Sequence, residues 1–359
     1  MAINQANSCR DRVSRLGKNV GGAHMITKNR ILYAAITFQL TKECNAHCEI
    51  CCESSGPQLN GKMDLDVILR SIDEIRDMNS IKLIAVTGGE PFLYPDDVLS
   101  IAKRCKEIGR KFTIITNAFW CSSYEHAFEV ISQMKENNLA ACFISADAFH
   151  QEYISIECVQ VLLRACRELG IPTKIQANST KSTLAETDRI INTIGMDKLH
   201  TQVLFGAAYP VGRAKEHVNA KEFFTRKLNR TVCQYQHILH ISSDGKTQPC
   251  CSPCHVGIPF NFGNIYSDSL EDILKKVSDS ELMRLITGEG LARLQEEAKK
   301  EFGFHELEEY VDVCHLCNHL LSDPDRYEYL SERAKIWKQQ EDEIVNIISG
   351  IQHHFSISM

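Results

Sequence analysis

Short apolar segments alternate with longer amphipathic ones between residues 31 and 206, and this alternation restricts the fold more than any other feature of the chain. In the first pair, residues 31–38 are mostly apolar, and Leu65, Ile68 and Ile72 then recur at helical spacing. Parallel strands need a long crossover between them, and a helix is the usual crossover. The pattern repeats six times, which predicts an α/β fold, a partial (β/α)6 barrel.

The ends of the predicted strands indicate where a site would lie. The predicted strands cover residues 31–38, 82–87, 112–117, 141–145, 172–177 and 201–206. Ser122 with Glu125, and Thr183 with Glu186, have the spacing of capping boxes that open two of the helices. In a barrel of this type the loops that follow the strands converge on one face. Functional residues are therefore expected in those loops.

The pattern changes after residue 215, where a smaller α+β region is expected. A hairpin is predicted around residues 242–245, a helix near 269–278, and a long charged amphipathic helix over 325–349. The chain is thus divided into 1–28 (an extension of unknown role), 29–215 (the barrel), 216–325 (the smaller region) and 326–359 (the last helix and tail).

Composition and charge exclude several classes of protein. A hydrophobic content of 43% over 359 residues suffices for a large core, and 40 basic against 46 acidic residues leave a net charge of −6. The charges are scattered, no run of 18 apolar residues occurs, and the N-terminus lacks the apolar core of a signal peptide. We expect a soluble cytoplasmic protein with no nucleic-acid and no membrane partner.

The 16 cysteines are unevenly distributed along the chain. Four lie within residues 44–52, four within 233–254, and two at 314 and 317. A cytoplasmic protein of this size does not depend on disulfides, so clustered thiols point to metal, whereas isolated ones usually pack as small apolar groups.

Cys44, Cys48 and Cys51 follow the first predicted strand with the spacing CxxxCxxC. Three thiolates on one tight loop can bind three irons of a cubane cluster and leave the fourth iron without a protein ligand. A zinc ion is the alternative, but it normally takes four protein ligands in CxxC-like pairs. Cys52 is a poor fourth ligand, because the side chains of adjacent residues diverge.

Together with the motif Gly88-Gly89-Glu90 after the second strand, this triplet resembles the radical S-adenosylmethionine (radical SAM) superfamily over about residues 31 to 215. The resemblance implies that the triplet holds a 4Fe-4S cluster whose open iron is chelated by SAM. It also implies a set of SAM-binding residues, which comprises Gly88, Gly89, Glu90, Thr116, Asn117, Ser145 and Asn178. Ile50 departs from the pattern, since family members often have an aromatic residue there.

The chemistry implied by the resemblance is the reductive cleavage of SAM to methionine and a 5′-deoxyadenosyl radical, which abstracts a hydrogen atom from substrate. A one-electron donor such as flavodoxin or ferredoxin is then an expected partner. A radical of this kind requires a site that excludes water, and the protein supplies that exclusion and the orientation of the reactants.

The C-terminal cysteines resemble the twitch half of the SPASM-type extensions found in that superfamily. Eleven residues separate Cys233 from Gly245, four more precede Cys250, and Cys314 and Cys317 form a later CxxC pair. The resemblance implies that these four cysteines bind one auxiliary 4Fe-4S cluster. No cysteine follows Cys317, so a second auxiliary cluster is not expected. A zinc ribbon built from the same thiols is the alternative.

Several residues near these motifs are candidates for chemistry. Cys251 adjoins an implied ligand, and in some peptide epimerases of the superfamily a cysteine donates a hydrogen atom to the substrate radical; a buried, inert thiol is the alternative. Asp147 and His150 follow the fourth strand, and either assist substrate protons or make structural hydrogen bonds. Arg213 follows the sixth strand and would meet a carboxylate or a surface acid. Cys254 is a substitute ligand for the auxiliary cluster.

Three functions are compatible with these residues. The resemblance favours modification of a ribosomally synthesised precursor peptide by epimerisation or cross-linking. Dehydrogenation of a small-molecule alcohol is the second hypothesis. A zinc-binding scaffold or an iron-sulfur electron carrier without SAM chemistry is the third, and it belongs to another class of protein.

Overall fold

The structure is a computed structural model that describes residues 33–195, 201–233 and 238–356. Side chains of the last helix are described as far as residue 347. The predicted extension over residues 1–28 lies outside the described residues, as do the first two residues of the first predicted strand.

Six parallel strands form the barrel part of the sheet, and each is hydrogen-bonded to its neighbour in sequence order. They are β1 (Ala35–Gln39), β2 (Leu83–Thr87), β3 (Lys111–Thr116), β4 (Leu139–Ser145), β5 (Thr173–Ser179) and β6 (Thr201–Ala207). Because consecutive strands are parallel, all six end at the same edge, and the loops that follow them lie together. The predicted (β/α)6 fold class is confirmed.

The helices between these strands are α1 (Leu65–Glu74), α2 (Pro95–Glu107), α3 (Tyr124–Glu136), α4 (Ile156–Glu168), α5 (Leu184–Thr193) and the short α6 (Arg213–His217). The cap of α3 is Ser123 instead of the predicted Ser122, and the Ser123 hydroxyl accepts a hydrogen bond from His126 N. Thr183 is the cap residue of α5, but its hydroxyl accepts from Thr180 N and makes no cap bond. Capping boxes therefore located these helices to within one residue.

The core lies between the sheet and the helices. Ile36, Phe38 and Ile84 are fully buried, and the burial of each such side chain stabilises the fold by about 1.5–3 kcal/mol. The alternate positions Thr37 and Ala85 lie on the other face of the sheet, because side chains alternate along a strand.

A further strand and a hairpin extend this sheet beyond β1. β7 (Ile238–Ile241) pairs in parallel with β1, and β8 (Thr247–Gln248) pairs antiparallel with β7, which gives an eight-stranded sheet of order β6-β5-β4-β3-β2-β1-β7-β8. Gly245 closes the turn between β7 and β8 with φ of +82°, as the predicted hairpin requires. The sheet is continuous across the boundary predicted at residue 215.

Five helices complete the C-terminal part: α7 (Leu270–Ser278), α8 (Glu281–Gly288), α9 (Ala292–Phe302), α10 (Val313–Leu321) and α11 (Pro324–Ser356). The sequence predicts α7 and α11, but not the three short helices between them. Arg293 stacks over Trp337 at 4.2 Å and donates to Glu341, so α9 packs on α11. Within the described part of the chain, no helix combines the length and the apolar character needed to cross a membrane.

Candidate active site and auxiliary cysteine pocket

The loop after β1 carries Cys44, Cys48 and Cys51 and is fixed by backbone hydrogen bonds to the loop after β2. Gly89 N donates to Thr41 O at 2.6 Å, and Glu90 N donates to Glu43 O at 2.9 Å. A Cβ at residue 89 would lie 2.1 Å from Glu43 O, so only glycine permits this approach. The two motifs that the sequence placed after adjacent strands are therefore in contact.

The three thiols of this loop are largely shielded from water. Cys44 and Cys48 are buried, and Cys51 is half-buried. Burial raises the pKa of Cys44 to about 12 and raises the pKa values of Cys48 and Cys51 as well. Buried thiols become thiolates only where positive charge compensates the loss of hydration, as bound metal does. The donor set fits an iron-sulfur cluster.

Arg213 supplies fixed positive charge beside these thiols. Its buried guanidinium donates to Cys48 O at 2.6 Å and to Ser55 O at 2.5 Å, and its backbone N donates to Cys51 O at 3.0 Å. Within the described part of the chain, the hydrogen-bond acceptors of the guanidinium are loop carbonyls, and not a carboxylate or a surface acid. The preceding Gly212 has φ of +54°, and a Cβ there would lie 2.0 Å from Cys52 O.

Glu90 joins the loops after β2 and β3. It is fully buried, and its Oε1 accepts from Phe92 N at 3.0 Å and Thr116 Oγ1 at 2.8 Å, while Oε2 accepts from Asn117 N at 2.7 Å. Burial, only partly offset by these donors, raises the pKa of Glu90 to about 7. Asn117 Nδ2 in turn donates to Asn45 Oδ1 at 2.9 Å, beside Cys44. Glu90, Thr116 and Asn117 thus meet at the cysteine loop.

Asp147 joins the ends of β4 and β5. Its fully buried carboxylate accepts from Phe149 N, His150 N and His150 Nδ1 through Oδ1, and from Asn178 N at 3.0 Å through Oδ2. Burial acts to lower the pKa of His150, but the charge and hydrogen bond of Asp147 outweigh it and raise that pKa. Both oxygens of Asp147 are committed to the protein, which favours the structural interpretation of this residue. Ser145 is the last residue of β4 and lies in register with Gln176 of β5.

A cleft opens beside the cysteine loop at the same edge of the sheet. It is lined by Glu49 from that loop, Phe149 after β4, Thr180 after β5, and His217 and Glu222 near α6. Hydroxyls, two carboxylates and an imidazole therefore surround a space at the carboxyl ends of the strands, where barrel enzymes bind substrate.

The C-terminal cysteines line a separate pocket. Cys233, Cys250, Cys314 and Cys317 lie around it together with Cys254. Its remaining wall is mostly apolar and includes Ile258, Phe260, Ile286 and Leu291. Burial is the largest cause that raises the pKa values of Cys314 and Cys317. The pocket thus brings together the four cysteines that the resemblance implies as ligands and the substitute, Cys254.

The spacing of the sulfur atoms bears on the zinc alternative. In a tetrahedral zinc site with bonds of about 2.3 Å, the sulfurs lie about 3.8 Å apart. Across residues 33–195, 201–233 and 238–356, no three cysteines have sulfur atoms within 4.8 Å of one another. Within these residues, neither cysteine site thus presents three sulfurs preformed for a single zinc ion.

Cys251 differs from its neighbours. It is half-buried, and among the described residues it is not part of the lining of the auxiliary pocket. Cys250, its neighbour in the chain, does line the pocket.

Comparison with known proteins identifies two domains. Residues 38–184 match the family model of the radical SAM superfamily, and residues 233–318 match that of the SPASM iron-sulfur cluster-binding domain.

The putative peptide biosynthesis protein YydG of Bacillus subtilis (strain 168) is 24% identical over 303 residues, which are 82% of this chain and 94% of that protein. The antilisterial bacteriocin subtilosin biosynthesis protein AlbA of the same strain is 27% identical over 116 residues, 32% of this chain and 25% of that protein.

Two solved structures resemble the fold more distantly. BtrN in complex with AdoMet and 2-DOIA is 14% identical with a TM-score of 0.46, over 71% of this chain and 87% of that one. SuiB of Streptococcus suis bound to its precursor peptide SuiA is 17% identical with a TM-score of 0.42, over 79% of this chain and 71% of that one.

Proposed function

We propose that this chain, which belongs to the radical SAM superfamily and uses SAM with two 4Fe-4S clusters, modifies a ribosomally synthesised peptide by epimerising one of its residues. The observation that supports a peptide substrate is the similarity to YydG, a putative peptide biosynthesis protein, which extends over most of both chains. Epimerisation is supported by Cys251, a half-buried thiol outside the auxiliary pocket.

The cofactor is assigned to the loops after β1, β2 and β3. Cys44, Cys48 and Cys51 would hold the cluster that binds SAM, and Glu90 would receive the amino group of SAM. When bound and supplied with one electron, SAM and this cluster provide a 5′-deoxyadenosyl radical that removes a hydrogen atom from substrate. The chain itself holds the carboxylate of Glu90 in place through Thr116 and Asn117.

The second cluster is assigned to the auxiliary pocket, with Cys233, Cys250, Cys314 and Cys317 as its ligands. Cys314 and Cys317 lie one helical turn apart on α10, and Asp312 fixes the start of that helix by accepting from Cys314 N at 2.9 Å. The same turn therefore presents both thiols to the pocket.

The peptide is assigned to the cleft between Glu49, Phe149, Thr180 and His217. A peptide backbone offers N–H donors and carbonyl acceptors, and the carboxylates and hydroxyls of this cleft complement both. Phe149 is buried at the cleft wall and would exclude water from the reacting carbon.

Cys251 completes the reaction in this proposal. After the α-hydrogen of a residue is removed, its carbon radical takes a hydrogen atom from the Cys251 thiol on the opposite face, which inverts the centre without net oxidation. The sulfur radical left on Cys251 then needs one electron from the external donor and one proton from solvent before the next turnover.

The substitution Cys251→Ala tests this function. We expect 5′-deoxyadenosine to form at a rate within about threefold of that of the unmodified enzyme, while epimerised peptide falls at least tenfold, because radical formation does not require the thiol. Mass spectrometry in deuterated water measures both, and the unmodified enzyme should place one solvent deuterium on the epimerised carbon.

Cys158→Ala is the matched control, since Cys158 is also half-buried but lies on α4. Full product yield from Cys251→Ala would contradict the hydrogen-donor role. A product without deuterium and two hydrogens lighter than the substrate would instead support the dehydrogenase hypothesis.

A further inference from the structure

Glu53, His240 and His255 form a compact cluster that neither cysteine site uses. Glu53 follows the cysteine loop, His240 lies on β7, and His255 lies in the turn after β8. One side-chain oxygen or nitrogen from each lies within 4.8 Å of the other two, and the two imidazole rings have their centroids 4.6 Å apart. Within the described ranges this is the one group of three whose geometry suits a single metal ion.

His240 has an unsatisfied nitrogen that points to a missing partner. The residue is 4% exposed, and its Nε2 is buried without a hydrogen-bond partner. A buried polar group left unpaired costs about 1–3 kcal/mol, so a native protein seldom keeps one without a compensating ligand. His240 is the register partner of Thr37 in β1, which puts its side chain on the barrel side of the sheet.

The Nε2 atom of His255, with its lone pair, is directed at the carboxylate of Glu53. Its Nδ1 lies 2.6 Å from Ser252 O, and a carbonyl only accepts, so Nδ1 carries the proton and the Nε2 of a neutral ring is an acceptor. That Nε2 lies 3.4 Å from Glu53 Oε1, which is also an acceptor. A cation bound between the two acceptor atoms would remove their mutual repulsion. A protonated His255 would satisfy Glu53 but would leave His240 Nε2 without a partner.

Gln248 offers a fourth donor. It lies directly opposite His240 in the β7–β8 pair, so both side chains are on the same face, and its Oε1 is buried without a hydrogen-bond partner. Two imidazole nitrogens, a carboxylate and an amide oxygen form a nitrogen- and oxygen-rich set. Such a set selects a divalent ion such as zinc over an iron-sulfur cluster, which takes thiolates.

We propose that Glu53, His240 and His255 bind one divalent transition-metal ion, zinc by preference, with Gln248 placed to complete its coordination. Glu53 is next to Cys52 in the first cysteine loop, and His255 lines the auxiliary pocket. The ion therefore ties the two cysteine sites together through β7. The proposal does not depend on the substrate of the enzyme.

Zinc analysis of the untagged full-length chain tests the site. The chain is purified without oxygen, loaded with both iron-sulfur clusters, equilibrated with zinc sulfate and desalted. We expect about one zinc per chain, and zinc absorption spectra with nitrogen or oxygen neighbours at about 2.0–2.1 Å, imidazole scattering and no sulfur. His240→Gln and His255→Gln should each lower bound zinc at least tenfold with iron unchanged, whereas the control His126→Gln, at an exposed position on α3, should retain it.

The proposal is overturned if the unmodified chain binds less than about a tenth of an equivalent of zinc, as a water-filled site would. Sulfur neighbours at about 2.3 Å would overturn it too, because they would put the zinc in a cysteine site. Retention of zinc by both histidine variants has the same consequence. If a variant misfolds and loses iron as well, the spectrum of the unmodified chain decides alone.

Discussion

At the scale of single residues, two buried charges define the cofactor site. Arg213 and Glu90 are both buried, and an isolated charge in a protein interior is strongly destabilising. Arg213 is compensated by loop carbonyls and by the nearby thiols, and it lowers the pKa values of Cys44 and Cys48 against the effect of burial. Glu90 accepts from three donors, and the charge of His150 adds a smaller stabilising effect on its carboxylate. In the proposed function, Arg213 would face the cluster thiolates and Glu90 the amino group of SAM.

Arg213→Met should reduce the iron held by the first cysteine loop. The variant loses two hydrogen bonds from a charged donor, each worth about 1.5–3 kcal/mol, and leaves the thiolates without a fixed positive neighbour. Iron analysis after anaerobic reconstitution should show about half the iron of the unmodified chain. Arg213→Lys keeps the charge but not the two-pronged geometry, and an intermediate value is expected. Full iron content in the methionine variant would contradict this role.

Glu90 should make SAM binding depend on pH. Its pKa is raised to about 7 in the cofactor-free protein, so the carboxylate that attracts an ammonium group is largely protonated at lower pH. The SAM dissociation constant should decrease about tenfold from pH 6 to pH 8, as the ionised fraction rises. Calorimetric titration measures this dissociation constant. The Glu90→Gln variant should bind SAM weakly, with little dependence on pH. An equal pH dependence in both proteins would rule Glu90 out as its source.

The raised pKa of Glu90 also affects the stability of the fold, but with the opposite dependence on pH: it favours low pH, whereas SAM binding is favoured by high pH. A carboxyl whose pKa is higher in the folded than in the unfolded state favours folding at low pH, where it is protonated in both states. For the cofactor-free protein this contribution is lost as pH rises from the unfolded value through about 7.

At the scale of elements, the strand ends are held in register by side chains from neighbouring loops. Asp147, after β4, accepts from Phe149 N and His150 N within its own loop and from Asn178 N of β5. The carboxylate thus orders the turn before α4 and aligns two strands with one another. These contacts are sufficient to explain its complete burial.

Asp147→Ala should therefore lower the stability of the protein, and not only its catalytic turnover. The N–H groups of Phe149 and Asn178 lose their acceptor, whereas His150 N keeps the backbone carbonyl of Asp147. Each unsatisfied group costs about 1–3 kcal/mol. The urea midpoint of the cluster-loaded protein, followed by circular dichroism, should fall clearly below that of the unmodified chain. His150→Gln leaves the bonds from Phe149 N and Asn178 N intact and should have a small effect. An unchanged midpoint with lost turnover in Asp147→Ala would identify a chemical role instead.

At the scale of the whole molecule, the C-terminal part is joined to the barrel through β1. β1 is flanked by β2 on one side and β7 on the other. Tyr33 OH donates to Pro249 O at 2.8 Å, and Ser243 N donates to Gln39 Oε1 at 3.1 Å, so both ends of β1 contact the β7–β8 region. The loop that bears the first cysteines and the segment that bears Cys250 are thereby fixed relative to each other.

The two cysteine sites should nevertheless bind iron independently. The loaded chain should contain about eight irons from two four-iron clusters. Replacement of Cys44, Cys48 and Cys51 by alanine, or of Cys314 and Cys317, should each remove about half, because neither site shares a ligand with the other. Iron and sulfide analysis checks this. Zinc in place of iron at both sites would refute the enzyme function altogether.

The sequence by itself determined the parallel order of β1 to β6, the hairpin, and the grouping of cysteines, because periodicity, glycine position and thiol spacing are local properties. It placed the cap of α3 one residue early and did not predict α8, α9 and α10, although α9 is longer than the predicted α7, so helix length is not the reason. Only the tertiary structure decided that Arg213 contacts the cysteine loop, that Asp147 is saturated by backbone donors, and that Glu53, His240 and His255 meet. Those contacts join residues far apart in the chain, and their partners are set by how the strands pair and not by any repeat within a segment.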